Sequence, residues 1–158
     1  MAEPARLPES VERTAKAIVD SAFKIHKALG PGLLESVYEA CLVRELTLRG
    51  HSLQRQLIVP IVYEGLRLES GLRLDLVVDD IVIVEIKAVE RDAPVFTAQL
   101  LSYLRLANKR LGLLINFNVP VIRNGIKRVA LCGQPFRTLR HADLQGMRSA
   151  AGGRNLVV

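Results

Sequence analysis

Hydrophobic residues in the first third of the chain repeat at intervals of three and four residues. This spacing predicts an amphipathic helix over about residues 9–29 and a second over about residues 33–49, separated by the helix-breaking sequence GPG. The apolar face of the first helix is expected to consist of Val11, Ala15, Ile18, Ala22, Ile25 and Leu29. The apolar face of the second is expected to consist of Leu34, Val37, Tyr38, Cys41 and Leu42.

After Gly50 the pattern changes to the short apolar runs that are typical of β-strands. Pro60 indicates an edge strand or a bend. The run LGLLINF predicts a strand that is covered on both faces. The predicted strands lie over about residues 53–65, 71–78, 81–88, 111–117 and 126–131. One more helix is predicted over about residues 95–108, with an apolar stripe of Phe96, Leu100, Tyr103, Leu104 and Ala107.

The order of these elements is α-α-β-β-β-α-β-β. It predicts an α/β fold of the mixed α+β kind, in which a mixed central sheet is flanked by helices. The length of 158 residues suits a single domain. We expect residues 1–133 to form that domain and residues 134–158, which are rich in Arg and Gly, to form a basic and partly flexible C-terminal tail.

The net charge of +6 is concentrated in the last third of the chain. Residues 1–104 carry 12 Lys and Arg against 15 Asp and Glu, whereas residues 105–158 carry 10 against one. A basic segment of this kind indicates a polyanionic partner, for which nucleic acid is the first candidate. The alternative is a solvated basic surface that has no such partner.

Other features narrow the class of protein. No apolar run approaches the roughly 20 residues that a membrane span needs, so no membrane association is expected. Cys41 and Cys132 lie far apart and are expected to be reduced core thiols of a cytoplasmic protein. The three histidines show no metal-ligand spacing. The oligomeric state stays open, with a homodimer as one alternative.

The hydrophobic stretch RLDLVVDDIVIVEIKAV, residues 73–89, carries Asp75, Glu85 and Lys87 inside its predicted strands. Side chains alternate between the two faces of a strand, so Glu85 and Lys87 lie on the same face. A buried charge is costly unless it is paired or binds a metal. Asp75 either belongs to such a site or pairs with Arg73 or Lys87 as a structural ion pair.

The position of Asp75 depends on the length of the loop between these two strands. With a two-residue loop at Asp79–Asp80, Asp75 would lie across from Val84. It would then face away from Glu85. With a three-residue loop, or with a bulge, Asp75 would face Glu85 at a Cβ–Cβ distance of about 5 Å. Two acids so placed repel each other unless a cation lies between them. If Asp75 and Glu85 form a functional site, the loop must therefore have an odd number of residues or the strands must contain a bulge.

Two further polar residues lie close to the apolar faces of the predicted helices. Gln99 lies within the apolar stripe, one turn before Tyr103. Glu35 lies at the border of the buried face of the second helix, near its N-terminus. Each has a structural explanation, because Gln99 would suit a hydrogen bond to a core backbone group and Glu35 would interact favourably with the helix dipole.

The ordered set of an acid on an early helix, Asp, Glu-x-Lys and then Gln-x-x-x-Tyr resembles the PD-(D/E)xK nuclease superfamily, particularly its RecB-like branch. More narrowly, the chain is similar to the bacterial GxxExxY protein family, whose motif stands here as GLLESVY with Gly32, Glu35 and Tyr38. The segments HKALGPGLLESVYEACL, VEIKAV, AQLLSYL and LGLLINFNV also match that family in order. The resemblance spans about residues 11–131 and implies a restriction-endonuclease-like core.

The resemblance also implies a site that hydrolyses phosphodiester bonds with Mg²⁺ or Mn²⁺. Asp75 and Glu85 would bind the metal, and Glu35 would contribute directly or through water. Lys87 would orient or polarise the attacking water and offset charge near the scissile phosphate. The helix residues Gln99 and Tyr103 would support the site or contact the nucleic-acid backbone.

Three functions remain open. The first is a metal-dependent nuclease that acts on DNA, in repair or in defence. Many relatives have His where this chain has Phe96, and Phe neither accepts a proton nor holds a phosphate, which favours a nucleic-acid-binding module without useful catalysis as the second. The third is a protein-interaction component whose carboxylates form structural ion pairs. The residues expected to contact nucleic acid are Tyr103, Arg105, Lys109, Arg110, Lys127 and Arg128.

Overall fold

The computed structural model describes residues 6–131. In chain order the elements are α1 (Glu9–Leu29), α2 (Glu35–Leu48), β1 (Leu53–Tyr63), β2 (Leu66–Val78), β3 (Val82–Lys87), α3 (Pro94–Leu106), β4 (Leu111–Asn116), a short 3₁₀ helix (Ile122–Gly125) and β5 (Ile126–Ala130). The predicted order of helices and strands is confirmed. Cys132 and the predicted tail, residues 134–158, lie outside the described residues. Within residues 6–131, no helix is both long and apolar enough to cross a membrane.

Five strands form one mixed sheet in the spatial order β1-β2-β3-β4-β5. Neighbouring strands pair antiparallel except for β3 and β4, which pair parallel. A parallel pair requires a crossover, and α3 supplies it by returning the chain to the start of β4. α1 and α2 pack on one face of the sheet and α3 packs on the other, so the predicted mixed sheet flanked by helices is confirmed.

Two apolar layers stabilise the sheet, one on each face. The layer beneath α1 and α2 includes Ile18, Leu42, Leu76, Val84, Ile86 and Leu113. The layer beneath α3 includes Leu72, Leu74, Val77, Ile83, Leu100 and Leu104. Because helices cover both faces at the centre of the sheet, every residue of β4 is buried, as its continuous apolar sequence predicts.

The structure corrects the apolar face that was expected for α2. The buried apolar side chains of this helix are Tyr38, Leu42 and Leu46. The residues that are exposed or only half-buried, contrary to the prediction, are Leu34, Val37 and Cys41. Apolar residues lie on several sides of this helix, so periodicity alone does not select the side that packs. Contact with α1 and with the sheet makes that selection.

The long hairpin of β1 and β2 differs from the predicted strands. β2 begins at Leu66 rather than at about residue 71, because Glu64 and Gly65 form a tight turn with positive φ values of 46° and 80°. Pairing shifts next to Pro60, as expected for an irregular edge strand. Leu29 was expected to be buried and is 44% exposed, since no further helical turn follows it to cover its side chain.

Asp79 joins three parts of the chain from its place in the loop between β2 and β3. Its carboxylate accepts hydrogen bonds from Thr14 Oγ1 at 2.8 Å and from the backbone N–H of Ser52 at 3.0 Å. His51 Nδ1 lies 2.7 Å from Asp79 Oδ2. Burial disfavours the charge of Asp79, but the hydrogen bonds outweigh it and hold the pKa below its usual value. The cluster therefore fixes this loop relative to α1 and to the segment before β1.

Replacing Asp79 with Asn is expected to lower the free energy of unfolding by about 1 kcal/mol at pH 7, because a neutral amide accepts these bonds less strongly. The pKa of Asp79 is depressed in the folded state. Its stabilising contribution is therefore present above the unfolded value of about 3.8 and is lost as the pH falls through the lower folded value. Urea unfolding of wild type and variant should show their difference shrinking as the pH is lowered below about 4.

Asp80→Asn is the matched control, because Asp80 is the next residue, has the same left-handed backbone, with φ of 59°, and its ion pair with Lys109 is exposed and expected to contribute little. An equal loss of stability in this control would contradict the role assigned to Asp79.

Candidate active site

The loop between β2 and β3 has three residues. Val78 pairs with Val82, which leaves residues 79–81 as the loop. The same register, continued along the strands, places Asp75 opposite Glu85. The odd loop that was predicted for a functional site is confirmed.

Asp75 lies at the point where the two faces of the β1–β2 hairpin exchange sides of the sheet. On β1, Leu53 packs in the layer beneath α1 and α2, whereas Leu57 packs in the layer beneath α3. On β2, Leu76 and Leu74 divide between the same two layers. Residues two or four apart on a regular strand share a face, so the hairpin reverses its faces between these positions.

The reversal occurs at Gln56, which lies opposite Asp75. Gln56 has a left-handed backbone with φ of 48°, and the pairing of β1 with β2 passes over both residues. The pairing of β2 with β3 also ends next to Asp75, at the pair of Leu76 with Val84. Asp75 Oδ2 instead accepts a hydrogen bond from the backbone N–H of Ile86 at 2.9 Å, and the N–H of Asp75 donates to Glu85 Oε1 at 3.4 Å. The carboxylate of Asp75 thus takes part in holding β2 to β3.

Glu85 is a buried acid beside a second acid. Its exposed fraction is 5%. Burial, followed by the charge of Asp75, raises the pKa of Glu85 to about 8, although Lys87 acts in the opposite direction. In the absence of a cation, the two carboxyl groups therefore do not both carry a full negative charge at neutral pH. The arrangement favours a positive ion, or a retained proton, between them.

Lys87 follows Glu85 on the same face of β3. Its Nζ lies 5.0 Å from the centroid of the Phe96 ring, within range of a cation–π interaction. Across residues 6–131, the ion pairs do not include one between Lys87 and either Asp75 or Glu85. The aromatic ring at the start of α3 therefore helps to hold the lysine head group in place.

The N-terminus of α2 brings Glu35 to the same region. Partial burial and, less strongly, the charge of Asp75 raise the pKa of Glu35 although its side chain remains exposed to solvent. The charge of Lys87 and the backbone N–H of Ala88 act in the opposite direction. Glu35 therefore lies close enough to the site to interact with both its acids and its lysine.

The loop in front of Glu35 is held by Tyr38. The buried hydroxyl of Tyr38 donates a hydrogen bond to the carbonyl of Gly30 at 2.7 Å and accepts one from the N–H of Leu33 at 3.1 Å. Gly32, in the same loop, has φ of 96°, a conformation that favours glycine. The Gly and the Tyr of the GLLESVY motif thus shape the loop that presents its Glu.

Gln99 and Tyr103 lie one turn apart on α3. Gln99 is exposed, so the prediction that it lies within the buried stripe is wrong, and its side chain donates a hydrogen bond to the Tyr103 hydroxyl. Partial burial and the nearby charge of Glu85 raise the pKa of the Tyr103 phenol, with a smaller contribution from Asp75. Tyr103 therefore lies near the acidic pair, and Gln99 supports it from the solvent side.

Two residues that the sequence did not reveal hold the end of β3. The buried side chain of Asn116 accepts a hydrogen bond from the N–H of Val89 at 3.1 Å and donates one to its carbonyl at 2.9 Å. The N–H of Phe117 donates to the carbonyl of Lys87 at 2.9 Å, and its ring stacks on Tyr38 with centroids 4.4 Å apart. An Asn at the end of an otherwise apolar run was the available signal.

Glu39 on α2 is a third residue near the site whose role the sequence did not reveal. It is largely buried and accepts hydrogen bonds from Arg55 Nε at 3.0 Å and from Gln56 Nε2 at 2.8 Å. These contacts tie α2 to the point where the hairpin turns over. Its spacing of four residues from Glu35, which places two acids on one side of the helix, was the signal in the sequence.

All of these residues lie in a region that matches a known family. A family model of the PD-(D/E)XK nuclease superfamily matches residues 12–129. The chain belongs to the PD-(D/E)XK nuclease superfamily. Comparison with curated proteins found no match, and comparison with solved structures found none. Members of the superfamily are typically nuclease hydrolases that act on nucleic acid and generally use divalent metals such as Mg²⁺ or Mn²⁺.

The acidic pair of this PD-(D/E)XK protein suits a hard divalent cation. Asp75 and Glu85 offer oxygen ligands, and burial together with the charge of Asp75 raises the pKa of Glu85 more than Lys87 lowers it. Within residues 6–131, no group of three or more His, Cys, Asp and Glu side chains is arranged to hold a metal, so Glu35 does not complete a preformed three-acid cage. Mg²⁺ commonly keeps several waters and binds through one or two carboxylates together with substrate phosphates, which this pair allows.

The residues predicted to contact nucleic acid are distributed over the molecule. Three of them form ion pairs, namely Lys109 with Asp80, Lys127 with Asp92 and Arg128 with Glu12. Lys109 and Arg110 precede β4, which runs parallel to β3, so they lie at the far end of β3 from Lys87, roughly 16 Å of strand away. Lys127 instead lines a small cleft of about 80 Å³ beside Lys87. Arg105 is exposed on α3.

Replacing Glu85 with Gln is expected to raise the melting temperature of the metal-free PD-(D/E)XK protein at about pH 8, because the change removes a buried charge and its repulsion from Asp75 and keeps the side-chain volume. Saturating Mg²⁺ or Mn²⁺ should stabilise the wild type, by about 2.7 kcal/mol at 100 times Kd, and should stabilise the variant much less. Thermal unfolding with and without the metal measures both effects.

Glu69→Gln serves as the control, because Glu69 is an exposed acid on the hairpin paired with Arg67. A metal-induced gain in the Glu85 variant as large as in wild type would rule out Glu85 as a ligand.

Proposed function

We propose that this chain hydrolyses phosphodiester bonds of nucleic acid, with DNA as the substrate, and that the reaction depends on Mg²⁺ or Mn²⁺. The observation that carries the proposal is the arrangement of Asp75, Glu85 and Lys87. Two acids oppose each other where β2 leaves β3, and a lysine follows on the same face. Superfamily membership supports nucleic acid as the class of substrate.

The residues of the proposed site have separate tasks. Asp75 and Glu85 would hold the metal, and Glu35 would contribute directly or through water. A bound Mg²⁺ or Mn²⁺ supplies charge neutralisation at the phosphate and a lowered pKa for water. Lys87, held beside Phe96, would orient the attacking water and stabilise the negative charge that develops on the phosphate.

The α3 side of the site would contact the substrate backbone. The Tyr103 phenol accepts a hydrogen bond from Gln99 and is protonated at neutral pH, so its own O–H would donate to a phosphate oxygen. Gln99 would keep that hydroxyl oriented. Lys127, which lines the cleft beside Lys87, would extend this contact, and binding through it would weaken as salt concentration rises.

A nucleic-acid-binding module with weak or no catalysis is the second candidate. It is favoured by Phe96, which offers no proton acceptor where many similar proteins have His. The third candidate, a protein-interaction component, would require Asp75 and Glu85 to form structural ion pairs with nearby basic residues. Among residues 6–131, the ion pairs do not join Glu85 to Lys87 or to Arg73.

The finer assignments remain predictions. They are membership of the GxxExxY family and the RecB-like branch, a role in repair or defence, a cytoplasmic location and a homodimer. The division into a domain of residues 1–133 and a basic tail of residues 134–158 is likewise a prediction. The motif GLLESVY supports the first of these, because its Gly and Tyr both shape the loop that presents Glu35.

A cleavage assay tests the proposed activity. The substrates are single-stranded, duplex and branched DNA and RNA, each with Mg²⁺ or Mn²⁺. Asp75→Ala and Lys87→Ala are expected to lower kcat/KM by about a hundredfold or more, because each removes a group that stabilises charge in the transition state. Asp20→Ala, which removes an exposed acid of α1, should retain wild-type activity.

Equal residual cleavage by wild type and by both site variants would indicate a contaminating nuclease and would defeat the proposal. Salt-sensitive binding of DNA by a wild type that does not cleave would favour the binding module instead.

A further inference from the structure

We propose that Gln56 is a positioning residue that turns the carboxylate of Asp75 toward β3. Its chemical consequence rests on the proposed function, since Asp75 is one of the two acids of that site. Gln56 and Asp75 lie opposite each other, and the pairing of β1 with β2 passes over both. The two residues therefore form one irregularity that crosses the hairpin.

The backbone of Gln56 has a conformation that most side chains disfavour. Its φ of 48° lies in the left-handed region, which Gly and Asn tolerate and which β-branched residues strongly avoid. Such a conformation persists where surrounding contacts determine it. Here Gln56 Nε2 donates to Glu39 Oε2 at 2.8 Å, and Arg55 holds the other oxygen of Glu39 at 3.0 Å. The side chain of Gln56 is thus anchored to α2.

The irregularity decides on which side of the sheet the outer hairpin packs. Leu57 and Leu74, beyond Gln56 and Asp75, pack beneath α3, while Leu53 and Leu76, before them, pack beneath α1 and α2. A regular strand through this point would keep all four leucines on one side.

The same irregularity decides the direction of Asp75. In a regular strand its side chain would project perpendicular to the sheet, whereas backbone N–H groups lie near the plane of the sheet. Asp75 Oδ2 nevertheless lies 2.9 Å from the N–H nitrogen of Ile86 on β3. The irregularity at Gln56, which rotates the hairpin by half a turn, therefore brings the Asp75 carboxylate into the gap between β2 and β3. Glu85 lies on the β3 side of that gap.

The test uses the amide resonance of Ile86, measured by NMR on the full chain, because that N–H reports its hydrogen bond to Asp75 without any need for catalysis. Asp75→Asn gives the reference for a weakened bond. Gln56→Val disfavours the left-handed backbone, and Gln56→Gly tolerates it. Gln54→Val is the matched control, since it makes the same change at a regularly paired position of β1.

The expected result is that Gln56→Val moves the Ile86 resonance toward that of Asp75→Asn and weakens Mn²⁺ binding and kcat/KM by about tenfold or more. Gln56→Gly should stay within about threefold of wild type in both quantities, given its free backbone. Gln54→Val should leave the resonance and both quantities unchanged.

The remaining outcomes distinguish the positioning role of Gln56 from the proposed nuclease function. A wild-type Ile86 resonance in Gln56→Val overturns the positioning role and leaves the proposed function standing. A moved resonance in a protein whose wild type neither binds Mn²⁺ nor cleaves nucleic acid supports the positioning of Asp75 and overturns the proposed function. If Gln56→Val does not fold, Gln56→Ala replaces it, because Ala and Gly both lack the amide and differ in backbone preference. Equal resonances in those two variants would then overturn the positioning role.

Discussion

The burial of Glu85 beside a second acid, Asp75, is the constraint on which the rest of the site depends. The sheet places the two acids on facing strands, and burial denies Glu85 the water that would screen its charge. Such a pair is unfavourable for the fold alone, because apolar residues at both positions would pack without that cost. Acids with a perturbed pKa that are kept at such a cost are typical of functional sites.

The surrounding fold keeps the acids from separating. A three-residue loop anchored by Asp79 sets the register of β2 and β3, and the half-turn at Gln56 directs Asp75 into the gap between them. Asn116 and Phe117 fix the backbone just beyond the acids, where Lys87 ends β3. Asp79 and Asn116 also bond backbone groups, so these contacts constrain the course of the chain and not only the position of one side chain.

Superfamily membership and the geometry of the site agree on nucleic acid, but the basic charge of the chain is not gathered at the acids. Lys109 and Arg128 are paired with acids away from the site, which offsets part of the positive surface within residues 6–131. Lys87 lies close enough to the acidic pair to lower the pKa of Glu85, and Lys127 lines the small cleft beside Lys87. Substrate contact near the reacting phosphate would therefore rely on few cations and on donors such as Tyr103.

The sequence by itself determined the order of the elements, the buried strand β4 and the shared face of Glu85 and Lys87, because these follow from local periodicity. The three-residue loop could be stated only as a condition, since loop length is decided by packing. The tertiary structure alone decided which side of α2 is buried, the half-turn at Gln56 and the clamp at Asn116. Each of these depends on contacts between residues far apart in the chain, for which local spacing carries no information.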